Sequence, residues 1–103
     1  LLEMMAAGKH VVATEYSAHT EFCSEENSYL LPISDVEPAV DNKWFFGRGN
    51  WAKIDDTEVE ILTKLMLRFI KTRKGKINEK GTDTAKKFSW QNTVREMVKC
   101  LKS

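Results

Sequence analysis

Apolar and polar positions change rhythm several times along this chain. Leu1, Leu2, Met4, Met5 and Ala6 are apolar on most helical faces, which predicts a covered helix. Gly8 stands where a left-handed helix stop is wanted, and Lys9 sets a positive charge at the negative helix end. Val11-Val12-Ala13 is continuous and β-branched, the pattern of a strand buried on both faces. Such short runs are ambiguous alone, and the glycine stop before this one favours strand. His19 to Ser24 has room only for a short helix. Tyr29-Leu30-Leu31-Pro32-Ile33 reads as a second strand, with Pro32 at its end or on an edge. The segment between the two strands is long enough for a crossover, so the pair should be parallel and right-handed.

The second half turns helical. Thr57 and Glu60 suit a capping box, and Asp55 and Asp56 suit the positive end of a helix. Val59, Leu62, Met66 and Phe69 recur at three- and four-residue steps, widened by Ile61, Leu65 and Ile70. This predicts a helix over 56–74, closed by Arg73-Lys74-Gly75. Ile77, Gly81, Ala85 and Phe88 form a weaker stripe over 76–87, where Gly81 costs roughly 1 kcal/mol against Ala and implies close packing. Ser89 caps a last helix over 89–102, with Trp90, Val94, Met97, Val98 and Leu101 on one face. That one-sided stripe reads as structural, with Trp90 buried. Between strand and helix, residues 34–54 fit no long element. A small hairpin across Gly47-Arg48-Gly49-Asn50 would join Trp44-Phe45-Phe46 to Trp51-Ala52-Lys53-Ile54. These aromatics have three readings: packing onto the body, bordering a ligand cleft, or stacking on nucleic-acid bases.

Composition narrows the classes. With 103 residues the chain is one domain or part of one. Sixteen Lys and Arg against fifteen Asp and Glu give a net charge of +1, which argues against a dedicated nucleic-acid partner. The basic cluster from Lys71 to Lys80 reads as a solvated helix end. No apolar run is long enough to span a membrane as a helix. Cys23 and Cys100 lie far apart and, like His10 and His19, match no metal-ligand spacing. Both thiols read as small apolar residues, which fits a cytoplasmic location. There is no phosphate-binding glycine loop with its lysine, and no strand–serine–helix elbow.

Five segments share an order with one enzyme family. They are Leu1 to Thr14, Tyr16 to Phe22, Glu25-Glu26-Asn27 with Tyr29-Leu30-Leu31, Trp51-Ala52, and Phe88-Ser89-Trp90. Together they resemble the donor-sugar half of retaining glycosyltransferases with the two-domain GT-B architecture, of the glycosyl transferases group 1, family 4 type. The family's patterns are L-E-A-M-A-x-G-x-P-V-V-A-T, S-G-x-T-E-F and E-E-N-x-Y-L-L, then W-A and F-S-W. The resemblance implies an α/β fold, the C-terminal part of a Rossmann-like GT-B domain, with two parallel strands and about four to five helices. Residues 1–103 would be a partial nucleotide-sugar-binding domain.

By the same resemblance Glu3 matches the second of two family glutamates and would take the ribose hydroxyls of a nucleotide-sugar donor; a carboxylate offers two acceptor oxygens for this. Leu1 and Leu2 would present backbone amides to the phosphates. Thr14 and Ser17 follow a strand's carboxyl end, where ligands bind in open α/β sheets. Glu21 matches a recurrent family glutamate, and serves equally as a helix-start acid. Ala18 stands where the family has Gly, and His10 where it often has Pro. The first family glutamate, the glycine-rich turn and the acceptor domain have no counterpart in these residues. The expectation is therefore a piece of a glycosyltransferase, itself without catalytic residues, metal or cofactor. The parent would transfer a sugar with retention to an acceptor glycan or lipid held by an N-terminal domain. An open edge on the first strand would make the piece self-associate. The rival reading is a non-enzymatic interaction module using the Trp44–Trp51 loop and the last helix.

Overall fold

The computed structural model describes residues 1–103. Helix α1 spans Leu2–Ala6 and stops at Ala7 and Gly8, the latter with φ +73°. Left-handed backbone there needs glycine, and a Cβ would also press on Ile77 Cγ2 at 3.0 Å. Strand β1 (Val12–Thr14) follows, then a 3-10 turn over Ala18–Glu21 and strand β2 (Tyr29–Leu31). The two strands pair in parallel, with Val12 opposite Tyr29 and Thr14 opposite Leu31. This is the expected parallel pair, with β1 shifted one residue later and β2 stopping before Pro32, which has no amide to give a ladder. The chain is thus mixed α/β with a parallel two-stranded sheet, and no helix is long and apolar enough to cross a membrane.

An antiparallel hairpin comes next, of strands β3 (Val36–Val40) and β4 (Phe46–Ala52). The expected hairpin exists, but its turn is displaced. The chain reverses at residues 41–45, and Gly47 and Gly49 lie inside β4 with φ +88° and +120°. Asp41 explains the shift. Its Oδ1 accepts the backbone N–H groups of Lys43, Trp44 and Phe45 at 2.8, 2.8 and 2.9 Å, building the turn upstream of the glycines. The register slips between Pro38 and Val40, where the glycines' left-handed backbone is accommodated. At the hairpin's base Lys53 N donates to Asp35 O at 3.0 Å.

Helix α2 (Asp56–Thr72) has a capping box, but from Asp55 and Glu58 rather than Thr57 and Glu60. Asp55 is the residue with extended backbone, φ −106° and ψ −176°, so it supplies the cap two residues earlier. Helix α3 (Glu79–Lys87) starts later than residue 76, because Asn78 is its N-cap. Helix α4 (Trp90–Lys102) is capped by Ser89, whose Oγ accepts from Asn92 N at 3.3 Å.

The core is small and sits where α1, β1 and the 22–23 segment meet. Met5, Val11 and Cys23 are buried, with Leu2, Ala13, Phe22, Leu30 and Ala85 packed around them. The apolar stripe of α4 contributes nothing to it. Trp90 is 84% exposed and Leu101 86% exposed, and no residue of α4 is buried. The expectation of a buried Trp90 is overturned, because Phe22 and Phe88 pair with each other at 5.7 Å and no element covers the next turn. Nor is β1 covered on both faces, since Val12 is exposed.

The shape reflects these open faces. The accessible surface is 8221 Å², against roughly 5,900 Å² for a compact monomer of this size. The radius of gyration is 16.6 Å, where about 13 Å is ordinary for a closed globule of this length.

Candidate functional site

The parallel pair directs two connections to its carboxyl end: the turn at 15–18 after β1 and the hairpin segment after β2. The turn after β1 is a tightly made device. Ser17 has φ +80° and ψ −166°, a conformation that glycine tolerates and that costs another residue about 1–3 kcal/mol. Its carbonyl accepts both the backbone N–H and the hydroxyl of Thr20, at 3.1 and 2.7 Å. His19 Nε2 donates to the carbonyl of Thr14 and stands 3.3 Å from its hydroxyl. The imidazole therefore bridges from the 3-10 turn back to the strand end. It orients the turn and has no acidic partner of the kind a general base needs.

Of the expected site residues, Thr14 and Ser17 are joined in this device. Glu21 ends the 3-10 turn, exposed and with no side-chain hydrogen bond. Glu3 lies on α1, also exposed, its carboxylate free of any ion pair or hydrogen bond. Leu1 flanks α1 as an exposed N-cap without side-chain capping, and Leu2 packs its side chain on the core, leaving only its amide for a ligand. No hydrogen bond links Leu1, Leu2 or Glu3 to the Thr14–Glu21 turn; α1 packs mainly on α3.

Three features escaped the sequence reading. Tyr16 OH donates to Asn50 O at 3.3 Å and fastens the hairpin to the turn after β1. Glu58 is buried, accepting Asp55 N at 3.0 Å and the Ser34 hydroxyl at 2.9 Å. These bonds hold its carboxyl below the usual range, the Asp55 amide foremost and Ser34 next. The spacing Asp55-x-x-Glu58 was the available signal, overshadowed by the neighbouring Thr57 and Glu60. The third is a buried polar spine. Asn78 Nδ2 donates to Asn27 O at 2.8 Å and to Lys9 O at 3.2 Å, and Asn27 Nδ2 reaches Thr84 Oγ1 at 2.9 Å. It knits the loop before β2 to α3.

A cleft of about 830 Å³ lies at the opposite, amino-terminal end of the strands. His10, Tyr29, Arg68, Lys76 and Glu79 are among its walls, and none of the expected donor residues lines it. No group of three or more His, Cys, Asp or Glu side chains is placed to hold a metal ion. Cys23 is buried, and desolvation pushes its thiol up and away from reactivity, while Cys100 is free and exposed.

No protein-family model, curated protein or solved structure matches this chain.

Proposed function

We propose that this chain is the nucleotide-sugar-binding part of a retaining glycosyltransferase of the GT-B type. The observation that carries the reading is the Ser17 turn, strained and held by Thr20 at the carboxyl end of a parallel strand. It falls in the Tyr16–Phe22 segment that resembles the family's S-G-x-T-E-F pattern. Strain of this kind clusters at ligand sites, and the carboxyl end of an open parallel sheet is where ligands bind. Glu3 adds an unpaired carboxylate in the L-E-M-M-A-A-G segment, free to accept two hydroxyls of a ribose. The surplus of accessible surface fits a unit that packs against further protein, as a two-domain enzyme requires. The leaving diphosphate would be neutralised by cations and amides outside these residues, so the chain by itself is expected to bind donors weakly and to transfer nothing.

The test is donor binding to the full-length protein, screened with uridine, guanosine and adenosine diphosphates and their sugars. Glu3→Gln should weaken donor binding by about tenfold, the scale of losing a charged hydrogen-bond acceptor. An unchanged dissociation constant in Glu3→Gln, with binding intact, would sink the role of Glu3; no binding of any of them would sink the whole reading.

A second reading draws on the open faces. The α4 stripe and the hairpin aromatics suit a non-enzymatic interaction module. That reading predicts a stable protein complex whose formation is lost in Leu101→Asp and which is indifferent to nucleotide sugars.

A further inference from the structure

The turn end of the β3–β4 hairpin is largely uncovered. Trp44 is 74% exposed, Phe46 70% and Phe45 52%, which disfavours, of the three readings, the one in which these rings pack onto the body. Three consecutive large aromatics at a turn are costly to leave in water. They are nevertheless held in place. The Asp41 carboxylate clamps the amides of residues 43–45, which keeps its own acid below the usual range, through the Phe45 amide most and then Lys43 and Trp44. Trp51 is fixed from two sides: its Nε1 donates to Glu37 Oε1 at 3.1 Å, and its ring stands edge-on to Phe45 with centroids 5.9 Å apart. A preset turn of this kind loses little freedom on binding.

Position adds a direction. The hairpin follows the carboxyl end of β2, and Tyr16 ties Asn50 to the turn after β1. The aromatic surface therefore extends the rim on which Thr14 and Ser17 sit. Charge selects among ligands. Asp35, Glu37 and Asp41 balance Lys43, Arg48 and Lys53 along the hairpin, so it has no attraction for a phosphate backbone or an anionic lipid surface. Rings interleaved with carboxylates and amides match a neutral polyhydroxyl ligand: C–H faces lie on the rings, and hydroxyls donate to the carboxylates.

We propose that the Trp44–Trp51 hairpin is a carbohydrate-binding platform that holds the acceptor glycan against the rim of the donor site. The word acceptor rests on the glycosyl-transfer reading; binding of carbohydrate at the hairpin does not.

The experiment is a titration of the full-length protein with mannohexaose, cellohexaose and chitohexaose, following the indole N–H signals. The same titration is run with single-stranded oligothymidylate and with phosphatidylcholine vesicles, with and without phosphatidylserine. At least one neutral oligosaccharide should move the Trp44 and Trp51 signals and leave Trp90, on α4, in place. Trp44→Ala and Phe46→Ala should each weaken that binding by about fivefold or more, the scale of losing an aromatic anchor, without shifting the melting temperature. Both rings are exposed, so neither variant threatens the fold. Absence of any oligosaccharide response at Trp44 overturns the proposal. So does a Trp44 response confined to oligothymidylate or to vesicles, which would make the hairpin a nucleic-acid or membrane contact. Oligosaccharide binding in a protein that ignores nucleotide sugars would keep the platform and remove the transferase reading. Nucleotide-sugar binding with a silent hairpin would do the reverse.

Discussion

The side chain of Asn78 accepts the Gly81 amide at 2.9 Å, and it does so in the space a Gly81 Cβ would need. The nearest atoms to that imagined carbon are all in the Asn78 amide, with Cγ at 2.7 Å. Gly81 in α3 is therefore the complement of its own cap. The same amide group, through Nδ2, also satisfies the carbonyls of Lys9 and Asn27.

Gly81→Ala should destabilise the protein, although alanine is intrinsically better in a helix by about 1 kcal/mol. Asn78→Ala should cost about 2–4 kcal/mol, combining a lost cap with carbonyls left unpaired. The double variant should cost less than the two singles together, since the clash vanishes with the cap. Denaturant melts of the four proteins measure this; strict additivity would show the two sites to be independent.

Glu58 gives a pH signature. Its carboxyl is held below the ordinary value of 4.5 by Asp55 N and Ser34 Oγ. A depressed folded value means the stabilisation is complete above the unfolded value and fades as pH falls through the folded one. Glu58→Gln, whose amide cannot accept both donors, should lower the melting temperature at pH 7 and lose that difference in acid. A gap between the two proteins that stays constant from neutral pH into strong acid would show that the carboxylate charge plays no part.

The uncovered stripe of α4 makes its own forecast. Trp90→Ala and Leu101→Ala should each change the stability of this chain by no more than about 0.5 kcal/mol, as substitutions at exposed sites do. The same surface, with the unpaired edge of β1 and a net charge of +1, should make the chain associate as its concentration rises. Sedimentation over a wide concentration range reads this, and Leu101→Asp should shift it towards monomer. A strictly monomeric chain at high concentration would count against exposed apolar faces as the driving force.

What the sequence made legible was local. Gly8 announced its left-handed turn, Ser89 its cap, and Val11–Ala13 and Tyr29–Leu31 the parallel pair, because each depends on a few adjacent residues. The periodicity of Val59 to Ile70 located α2 within two residues at its far end. The failures came from long-range and competing partners. Asp41 outbid the glycines for the hairpin turn, and Asp55 outbid Thr57 for the cap. Trp90 repeats in register with Val94 and Leu101, and periodicity says which residues share a face without saying that another element lies on it. Of the candidate site, the nearness of Thr14 and Ser17 was legible, because one turn brings them together. The Tyr16–Asn50 bond spans thirty-four positions, and no spacing rule reaches that far.

The meeting of Asp35 O with Lys53 N at 3.0 Å means that the chain leaves the body and returns to it at a single point. Everything between those residues is a detour whose two ends are already joined. Such a detour can be lengthened, shortened or exchanged without moving β2 or α2, because loop length alone changes closure cost by only about 0.6 kcal/mol per doubling. Related chains that keep Ser34, Asp55 and Glu58 at the junction would then be free to carry different hairpins. The excursion behaves as a cassette: variation there alters what the rim meets and leaves its foundation in place.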